Sequence, residues 1–283
     1  YWRHEFVTLV FRARVPGGGY TRVMIHEQSP THQPEPVPDG QAARLLPPVH
    51  HCRYSRRERA PIGLENGFLT VALDPVTGGI RSLIDKRTGL DLIAPEQSAG
   101  LFYSVERPHG MSAWLIQHPG EPPQRPALRE LKRLQNGPLL ASLEAVLRIA
   151  ESDLNVVYEL RADEPRLRVR FSGVWTQRGS RENGVPALDF TIPLALRNAR
   201  ACYEIPFGAQ ERPHHQGEEV PALQWAQVYG RASALGKRRQ QAGLLLLNDS
   251  KHGHSLNGST LRVTLIRSSY EPDGVPEIGS HTA

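Results

Sequence analysis

The chain has 283 residues, 39% of them hydrophobic, which is enough to bury the core of one large domain or two smaller ones. Its apolar runs fall far short of the roughly 18 residues that a transmembrane helix needs, so we expect no membrane partner. The 34 basic and 29 acidic residues leave a net charge of +5, but the arginines are scattered and no nucleic-acid-binding motif accompanies them. This argues against a nucleic-acid partner.

The N-terminal part is predicted to hold a small β segment and a linker. The 24 prolines and 25 glycines interrupt the chain often, which favours short strands over helices. Residues 5–25 predict two strands about a Pro-Gly turn, so residues 1–25 are assigned to a small β segment. Residues 26–63 hold seven prolines and no sustained periodicity, and we interpret them as a linker or an extended crossing. The opening YWRHEF has neither an initiator Met nor a signal-peptide pattern, and we expect it to be the edge of a trimmed chain.

Residues 64–283 predict one β-rich domain. Its opening hairpin has strands at 68–73 and 80–85, joined by DPVTGG, whose Asp, Pro and glycines favour a tight turn. Residues 125–135 fit either a short helical turn or a charged strand. The fold class is therefore all-β, with antiparallel strands stacked as a sandwich. The remaining predicted strands are residues 142–149, 155–160, 167–175, 187–196, 242–248 and 260–267.

Motifs of known chemical centres are missing or weak. HHC at 50–52 holds three ligand types whose neighbouring side chains point apart on an extended chain, and HGH at 252–254 lacks the partner spacing of a zinc motif. There is no GxSxG elbow, and GGG at 17–19 lacks the rest of a phosphate loop. Cys52 and Cys202 are too few for a disulfide framework and fit a reduced, cytoplasmic setting. Paired carboxylates stay open, because sequence alone does not bring scattered Asp and Glu together.

Several stretches, taken in order, resemble the C-terminal β region of glycoside hydrolase family 38, the retaining α-mannosidases, and its bacterial branch most closely. Residues 65–89 follow the pattern ENxxLxVxxDPxTGGIxSLxDKxTG. Residues 203–281, with YEIPFGAQERP, EVPALQWA, LLLLNDSKHGH and LRVTLIRSSYEPD, match nearly position by position, and VPGGGYTRV resembles the strand pair that precedes the sandwich. The resemblance implies a large, galactose-mutarotase-like antiparallel supersandwich.

The resemblance also implies a function for the whole protein. In the family, the nucleophile Asp, the acid/base Asp and the zinc ligands lie in an N-terminal α/β barrel and the helices after it. This chain has no His-x-Asp pair, so we expect it to hold no catalytic residue, metal or cofactor. We expect the zinc ion in a missing catalytic domain. The fragment alone is therefore expected to be inactive. The expected partners are that N-terminal domain of the same polypeptide and an α-mannoside or mannose-containing oligosaccharide, with a homo-oligomer left open.

Two segments depart from the family pattern. MSAWLI at 111–116 stands where members often carry a DAWDI-like segment with acidic residues, and WTQ at 175–177 stands where bacterial members carry a WHE-like one.

The resemblance points to Arg267 as the residue that reaches the sugar, and to Asp249, Asn248 and His281 as further substrate-binding candidates. We expect Arg267 at the rim that faces the missing barrel, on the apolar face of its strand, with Asp249 or Glu211 as a carboxylate partner. Arg267→Ala is then expected to lower turnover while the melting temperature stays nearly unchanged. On an ordinary structural interpretation, Asn248 and Asp249 bond their own turn and Arg267 is a surface residue.

Two other functions are compatible with the sequence. A non-catalytic carbohydrate-binding module would stack an exposed aromatic such as Trp114, Trp175 or Trp225 on a sugar, although tryptophans at alternating strand positions are more often part of the core. A pure interaction scaffold is the third possibility.

Overall fold

A computed structural model describes residues 9–25, 44–46, 62–213, 218–232, 240–271 and 279–282. These residues form nineteen strands and no helix, and every strand pairing is antiparallel. The prediction of an all-β antiparallel fold is therefore confirmed. In the described part of the chain, no helix is long and apolar enough to cross a membrane.

The strands form four sheets. Sheet 1 contains β1 Arg44–Leu46, β2 Ile62–Glu65, β3 Leu69–Leu73, β4 Ile80–Asp85 and β5 Leu90–Asp91. Sheet 2 contains β7 Ala127–Asn136, β8 Leu140–Ile149, β9 Ser152–Arg161, β10 Leu167–Trp175 and β19 Gly279–Thr282. Sheet 3 contains β6 Gly100–Glu106, β11 Val185–Pro193, β14 Val220–Pro221, β17 Gly253–Asn257 and β18 Thr260–Arg267. Sheet 4 contains β12 Leu196–Ile205, β13 Gly208–Arg212, β15 Trp225–Ala232 and β16 Gln240–Leu247.

All four sheets contribute to one hydrophobic core. Leu64, Leu143, Leu188 and Val228 come from sheets 1 to 4 in that order, and each is completely buried. Sheets 1 and 2 are also joined by Asn66, whose amide donates to the carbonyl of Arg161, the last residue of β9, at 2.7 Å and to that of Glu164 at 3.0 Å. The four sheets are arranged around this core like the blades of a small propeller. The predicted stacked sandwich therefore describes the fold only in part.

The predicted opening hairpin is present as β3 and β4. Asp74 begins its turn, because its side-chain Oδ1 accepts from the N–H of Val76 at 2.7 Å, as a turn-favouring Asp does. Gly78 follows with a φ of +70°, a conformation that glycine adopts without strain. Gly79 lies so close to Ala99 that an added Cβ would be 2.3 Å from the Ala99 carbonyl oxygen. The turn sequence therefore shapes the hairpin and also lets it pack against the next segment.

Several other predicted elements have clear outcomes. The strands predicted at 167–175 and 260–267 coincide with β10 and β18. The ambiguous residues 125–135 form most of β7, a strand and not a helical turn. β7 pairs with β8 along its whole length. These hydrogen bonds with β8 stabilise the strand over the helical turn, which the charged sequence allows equally.

The N-terminal segments differ from the prediction. Residues 9–25 contain a turn in which Gly19 N–H donates to the Pro16 carbonyl at 3.0 Å, but these described residues contain no strand. All of these residues are exposed, so their alternating apolar side chains do not pack into a core. Within the predicted linker, β1 and the start of β2 belong to sheet 1, and most of its other residues lie outside the described ones. The boundaries 1–25, 26–63 and 64–283 stay predictions.

Candidate functional site

β18 carries Arg267 as its last residue, after a break in the strand's alternation. In the ladder with β11, Thr264 pairs with Asp189 but Ile266 pairs with the residue just before Asp189, so Leu265 is the extra residue of a β-bulge. The bulge resets the alternation, because Ile266 is buried while Arg267 turns to the face that holds Thr264. The prediction that Arg267 continues the apolar face is therefore wrong.

Arg267 is engaged on several sides of its guanidinium group. Its Nε donates to Glu106 Oε1 at 2.5 Å and its Nη2 donates to Glu106 Oε2 at 2.8 Å, a bidentate ion pair. The two side chains are only 15% and 4% exposed. Nη1 also donates to the Ser112 carbonyl, and Nη2 to the Leu115 carbonyl at 2.7 Å. Arg267 thus fastens the end of β6 and the loop of residues 107–119 that follows it.

The 107–119 loop is fixed by a second set of hydrogen bonds. Ser112 is completely buried, and its hydroxyl accepts from the backbone N–H groups of Tyr270 and Glu271 at 3.0 and 2.9 Å. The Glu271 carboxylate accepts from the N–H of Met111 at 2.7 Å. Met111 has a φ of +57°, an unfavourable conformation for a side chain with a Cβ, and these contacts maintain it. The loop backbone is therefore held in one conformation.

The same loop presents apolar side chains to solvent. Met111 is 54% exposed, Trp114 63%, Leu115 49% and Ile116 47%, and we call these four residues the apolar ridge. Scattered exposed apolar residues are common, but a contiguous group on a fixed backbone is typical of an interaction surface.

Beside Arg267, the polar face of sheet 3 carries a second charged cluster. The Arg262 guanidinium lies 3.7 Å from Asp189 Oδ2 and 3.9 Å from Glu219 Oε2. Its Nε donates to the Ser255 hydroxyl at 3.0 Å, and the Thr264 hydroxyl donates to Glu219. One arginine thus lies between two carboxylates.

Burial dominates the electrostatics of this cluster. It raises the pKa of Asp189 to about 6, because the charged carboxylate loses water that the protein does not fully replace. The positive charge of Arg262 opposes this rise in pKa, while the negative charge of Glu219 adds to it.

Asn248 and Asp249 occupy a turn, as the ordinary structural interpretation predicts. Asn248 Oδ1 accepts from the N–H groups of Ser250 and Lys251 at 3.1 and 2.7 Å, and Asp249 Oδ1 accepts from the Ser250 hydroxyl at 3.2 Å. No contact between the described residues joins this turn to Arg267.

The other residues predicted near Arg267 lie elsewhere. Glu211 pairs with Arg200 and accepts from the Tyr229 hydroxyl, so it is not the partner of Arg267. His281 lies on β19, where its backbone is opposite Gly173, but its side chain is outside the described residues. The structure therefore does not gather the four predicted substrate-binding residues into one described cluster.

The HGH motif does not form a metal centre. His252 Nδ1 lies 3.1 Å from the Ala222 carbonyl, and His254 is completely buried with its ring edge toward Tyr203. Burial lowers the pKa of His254, because the charged imidazolium would lose its water there. Across the described ranges, no group of three or more His, Cys, Asp or Glu side chains is placed to hold a metal ion. The described residues therefore do not fit the zinc ion that the family implies, and HHC at 50–52 lies outside them.

The three candidate tryptophans have different environments. Trp175 is completely buried and donates to the Ser268 hydroxyl at 2.8 Å, so it cannot stack on a sugar. Trp225 is partly buried at the start of β15. Trp114 on the apolar ridge is the tryptophan that an external partner can reach most easily.

Glu106 and Asp189 are two charged residues of this region that the sequence did not lead us to expect. Asp189 had a detectable signal, since a lone carboxylate inside the apolar run ALDFTIP must be buried with polar partners. Glu106 had none, because 161 residues separate it from Arg267 and only the fold brings them together.

The comparisons with known proteins agree on one family. A family model described as "Glycosyl hydrolases family 38 C-terminal domain" matches residues 64–275. The chain is 27% identical over 278 residues to alpha-mannosidase 2C1 of Homo sapiens, covering 94% of this chain and 25% of that protein. It is 26% identical over 234 residues to an alpha-mannosidase of Saccharomyces cerevisiae, covering 78% of this chain and 21% of that protein. The chain therefore spans about a quarter of the length of these relatives.

Solved structures agree on the fold. An alpha-mannosidase from Enterococcus faecalis V583 superposes with a TM-score of 0.61 at 14% identity, covering 78% of this chain and 28% of that one. A glycosyl hydrolase family 38 protein from the same species gives a TM-score of 0.60 at 14% identity, with 78% and 29% covered.

Proposed function

The chain belongs to the family of glycosyl hydrolase family 38 C-terminal domains, and from this membership we propose that it is the C-terminal portion of a retaining α-mannosidase. In such an enzyme an Asp attacks the anomeric carbon, and water then hydrolyses the glycosyl-enzyme with retention of configuration. We assign the nucleophile, the acid/base group and the zinc ion to an N-terminal portion of the same polypeptide. The cytoplasmic setting and a homo-oligomer stay predictions.

The fixed apolar ridge is the observation that indicates how this chain contributes to such an enzyme. A loop that is fastened by a bidentate ion pair and still exposes Trp114 is organised to meet a partner surface without changing shape. This chain covers 25% of a relative's length, and we propose that the polypeptide corresponding to the remainder supplies such a surface. We therefore propose that the apolar ridge packs on the catalytic portion and completes one wall of its substrate pocket.

Arg267 acts in this proposal as a positioning residue. Its guanidinium is directed at Glu106 and at the loop carbonyls, so it shapes the wall through the 107–119 loop. Direct contact of Arg267, Asp249, Asn248 or His281 with substrate stays a prediction.

A carbohydrate-binding module is the second candidate function, and the exposure of Trp114 favours it. A fixed indole that is 63% exposed offers a flat apolar face on which a pyranose ring can stack. This role predicts saccharide affinity in the chain alone, whereas the first proposal predicts affinity and turnover only when the catalytic portion is present.

The test compares the complete polypeptide with the 283-residue chain. We expect the complete polypeptide to hydrolyse an aryl α-mannoside, nuclear magnetic resonance to show retention in the first-formed product, and a chelator to abolish turnover. The chain alone should neither turn over this substrate nor show binding of mannose oligosaccharides by calorimetry.

Other outcomes would change the assignment. Saccharide binding by the chain alone, without turnover by the complete polypeptide, would support the binding module. Chelator-sensitive turnover by the chain alone would place the active site within it. Absence of both binding and turnover would overturn both functions.

A further inference from the structure

Strand β16 forms an edge of sheet 4. Among the described residues it pairs only with β15, so the other side of its backbone has no strand partner. Its sequence is QQAGLLLL, and no residue from 240 to 248 is charged. An exposed, uncharged edge strand is a template for pairing with another strand.

Three other edge strands carry features that oppose such pairing. β7 is a long edge strand, and it carries four charged side chains, Arg129, Glu130, Lys132 and Arg133, and two register shifts in its ladder. β13 carries Glu211 and Arg212, and β14 is two residues long with Pro221, which has no N–H to donate. Charges, bulges and proline are the usual devices that keep edges apart. β16 has none of these devices, so its edge is open to pairing.

The backbone geometry shows which groups of β16 are available. The Asn248 N–H donates to the Gln224 carbonyl at 2.8 Å, toward the β15 side. Because N–H and C=O groups of successive residues alternate in direction, those of Gly243, Leu245 and Leu247 point away from β15. Leu245 and Leu247 are also 55% and 58% exposed. The edge therefore offers both backbone hydrogen-bonding groups and apolar side chains. An added strand would pair with the former and pack against the latter.

We propose that β16 pairs antiparallel with β16 of a second copy of this chain, about a two-fold axis at Leu245. This register places Leu245 opposite its own copy and Leu247 opposite Gly243, where the missing side chain leaves room for a leucine. All three residues direct their free backbone groups outward, so both strands supply the donors and acceptors that the pairing needs. The molecule as a whole carries a charge of +5, which opposes self-association, but this segment adds no like-charge repulsion.

The test measures the mass of the full 283-residue chain in solution. Sedimentation equilibrium from about 1 to 100 µM should show a reversible dimer of the 31.5 kDa chain. Leu245→Pro removes an outward N–H without removing a hydrogen bond to β15, and Leu245→Lys adds a charge at the two-fold axis. We expect each variant to weaken dimerisation at least tenfold, with an unchanged far-ultraviolet circular dichroism spectrum.

Leu134→Lys is the matched control, because Leu134 is 47% exposed on β7, an edge strand that carries charges. This substitution should leave the dimer intact. If Leu245→Pro does not fold, Leu245→Lys alone decides the outcome. A chain that is monomeric throughout the concentration range would overturn the proposal. So would a dimer that persists in folded Leu245→Lys, or open-ended aggregation in place of a dimer. Mass is measured without any enzyme assay, so this result is independent of the proposed function.

Discussion

The ion pair between Arg267 and Glu106 determines what a change of either residue costs. Removal of Arg267 leaves the Glu106 carboxylate, 4% exposed, without its main partner. Breaking a buried pair in this way typically costs about 3–5 kcal/mol. We therefore expect Arg267→Met to lower the free energy of unfolding of the chain by about 3–5 kcal/mol in urea denaturation. This reverses the sequence-based expectation of a nearly unchanged melting temperature.

An exposed ion pair provides the control for Arg267. Arg87 pairs with Asp85 at 3.1 Å with its side chain 86% exposed, so Arg87→Met should cost less than about 1 kcal/mol. Adding Glu106→Gln to Arg267→Met removes the stranded charge and should recover part of the lost stability. If Arg267→Met costs no more than Arg87→Met, the pair does not hold the loop.

Asp189 makes stability depend on pH in a direction opposite to most carboxylates. Its pKa in the folded chain is raised from 3.8 to about 6, so the folded state holds its proton more tightly than the unfolded state. The contribution to stability is complete below about pH 4 and is lost as pH rises through about 6. This difference between the pKa values of the folded and unfolded states corresponds to roughly 3 kcal/mol.

The pH dependence is tested by Asp189→Asn, which does not titrate. Urea unfolding at about pH 4, 5, 6 and 7 should show the variant gaining stability relative to the original chain, by about 2 kcal/mol over that range. The difference between the two proteins cancels the contributions of all other titrating groups. Parallel pH profiles would mean that burial does not perturb Asp189.

At the scale of the element, the β3–β4 hairpin depends on a close approach to the segment that precedes β6. The Cβ of an alanine at position 79 would lie 2.3 Å from the Ala99 carbonyl oxygen. That oxygen accepts from the Ile80 N–H at 2.7 Å, so it cannot move away without breaking a backbone hydrogen bond. We expect Gly79→Ala to lower the free energy of unfolding by about 3 kcal/mol.

The substitution Gly89→Ala is the control for Gly79→Ala, because it measures the cost of replacing a glycine where no steric clash results. It has a φ of +70° and no atom within 4 Å of an added Cβ, so Gly89→Ala should cost about 1 kcal/mol through backbone strain alone. Urea denaturation of both variants gives the comparison. Equal losses would show that the contact with Ala99 is unimportant.

At the scale of the whole molecule, the proposed role of the apolar ridge predicts an effect only when the catalytic portion is present. Trp114 is 63% exposed in this chain, so Trp114→Ala should leave the melting temperature of the isolated chain unchanged. If the ridge packs on the catalytic portion as proposed, the same change removes an aromatic contact in the complete polypeptide, and aromatic contacts at the centre of an interface often contribute about 2 kcal/mol or more. We expect kcat/KM toward an aryl α-mannoside to fall at least tenfold.

Leu134→Ala is the matched change for Trp114→Ala, because Leu134 is 47% exposed on β7 and outside the 107–119 loop. It should leave kcat/KM unchanged. An unchanged rate for Trp114→Ala in the complete polypeptide would show that the ridge does not contribute to the substrate pocket.

The sequence by itself determined the all-β class, most strand positions, the opening hairpin and the family. These depend on local alternation, turn residues and motif order, all of which are properties of neighbouring residues. Leu265 shows that the sequence could not determine the register of strand pairing. That residue looks like one more apolar position in TLRVTLIR, yet pairing with β11 makes it a bulge and moves Arg267 to the polar face.

The tertiary structure also decided the partner of Arg267, the four-sheet arrangement and the exposure of Trp114. Glu106 and Arg267 are 161 residues apart, and no local pattern specifies contacts at that separation. Burial likewise depends on the packing of the whole chain. The apolar face of a strand is buried only where another element packs against it, and otherwise it faces solvent. Local patterns therefore predict strands, whereas the packing of distant strands determines which side chains form a site.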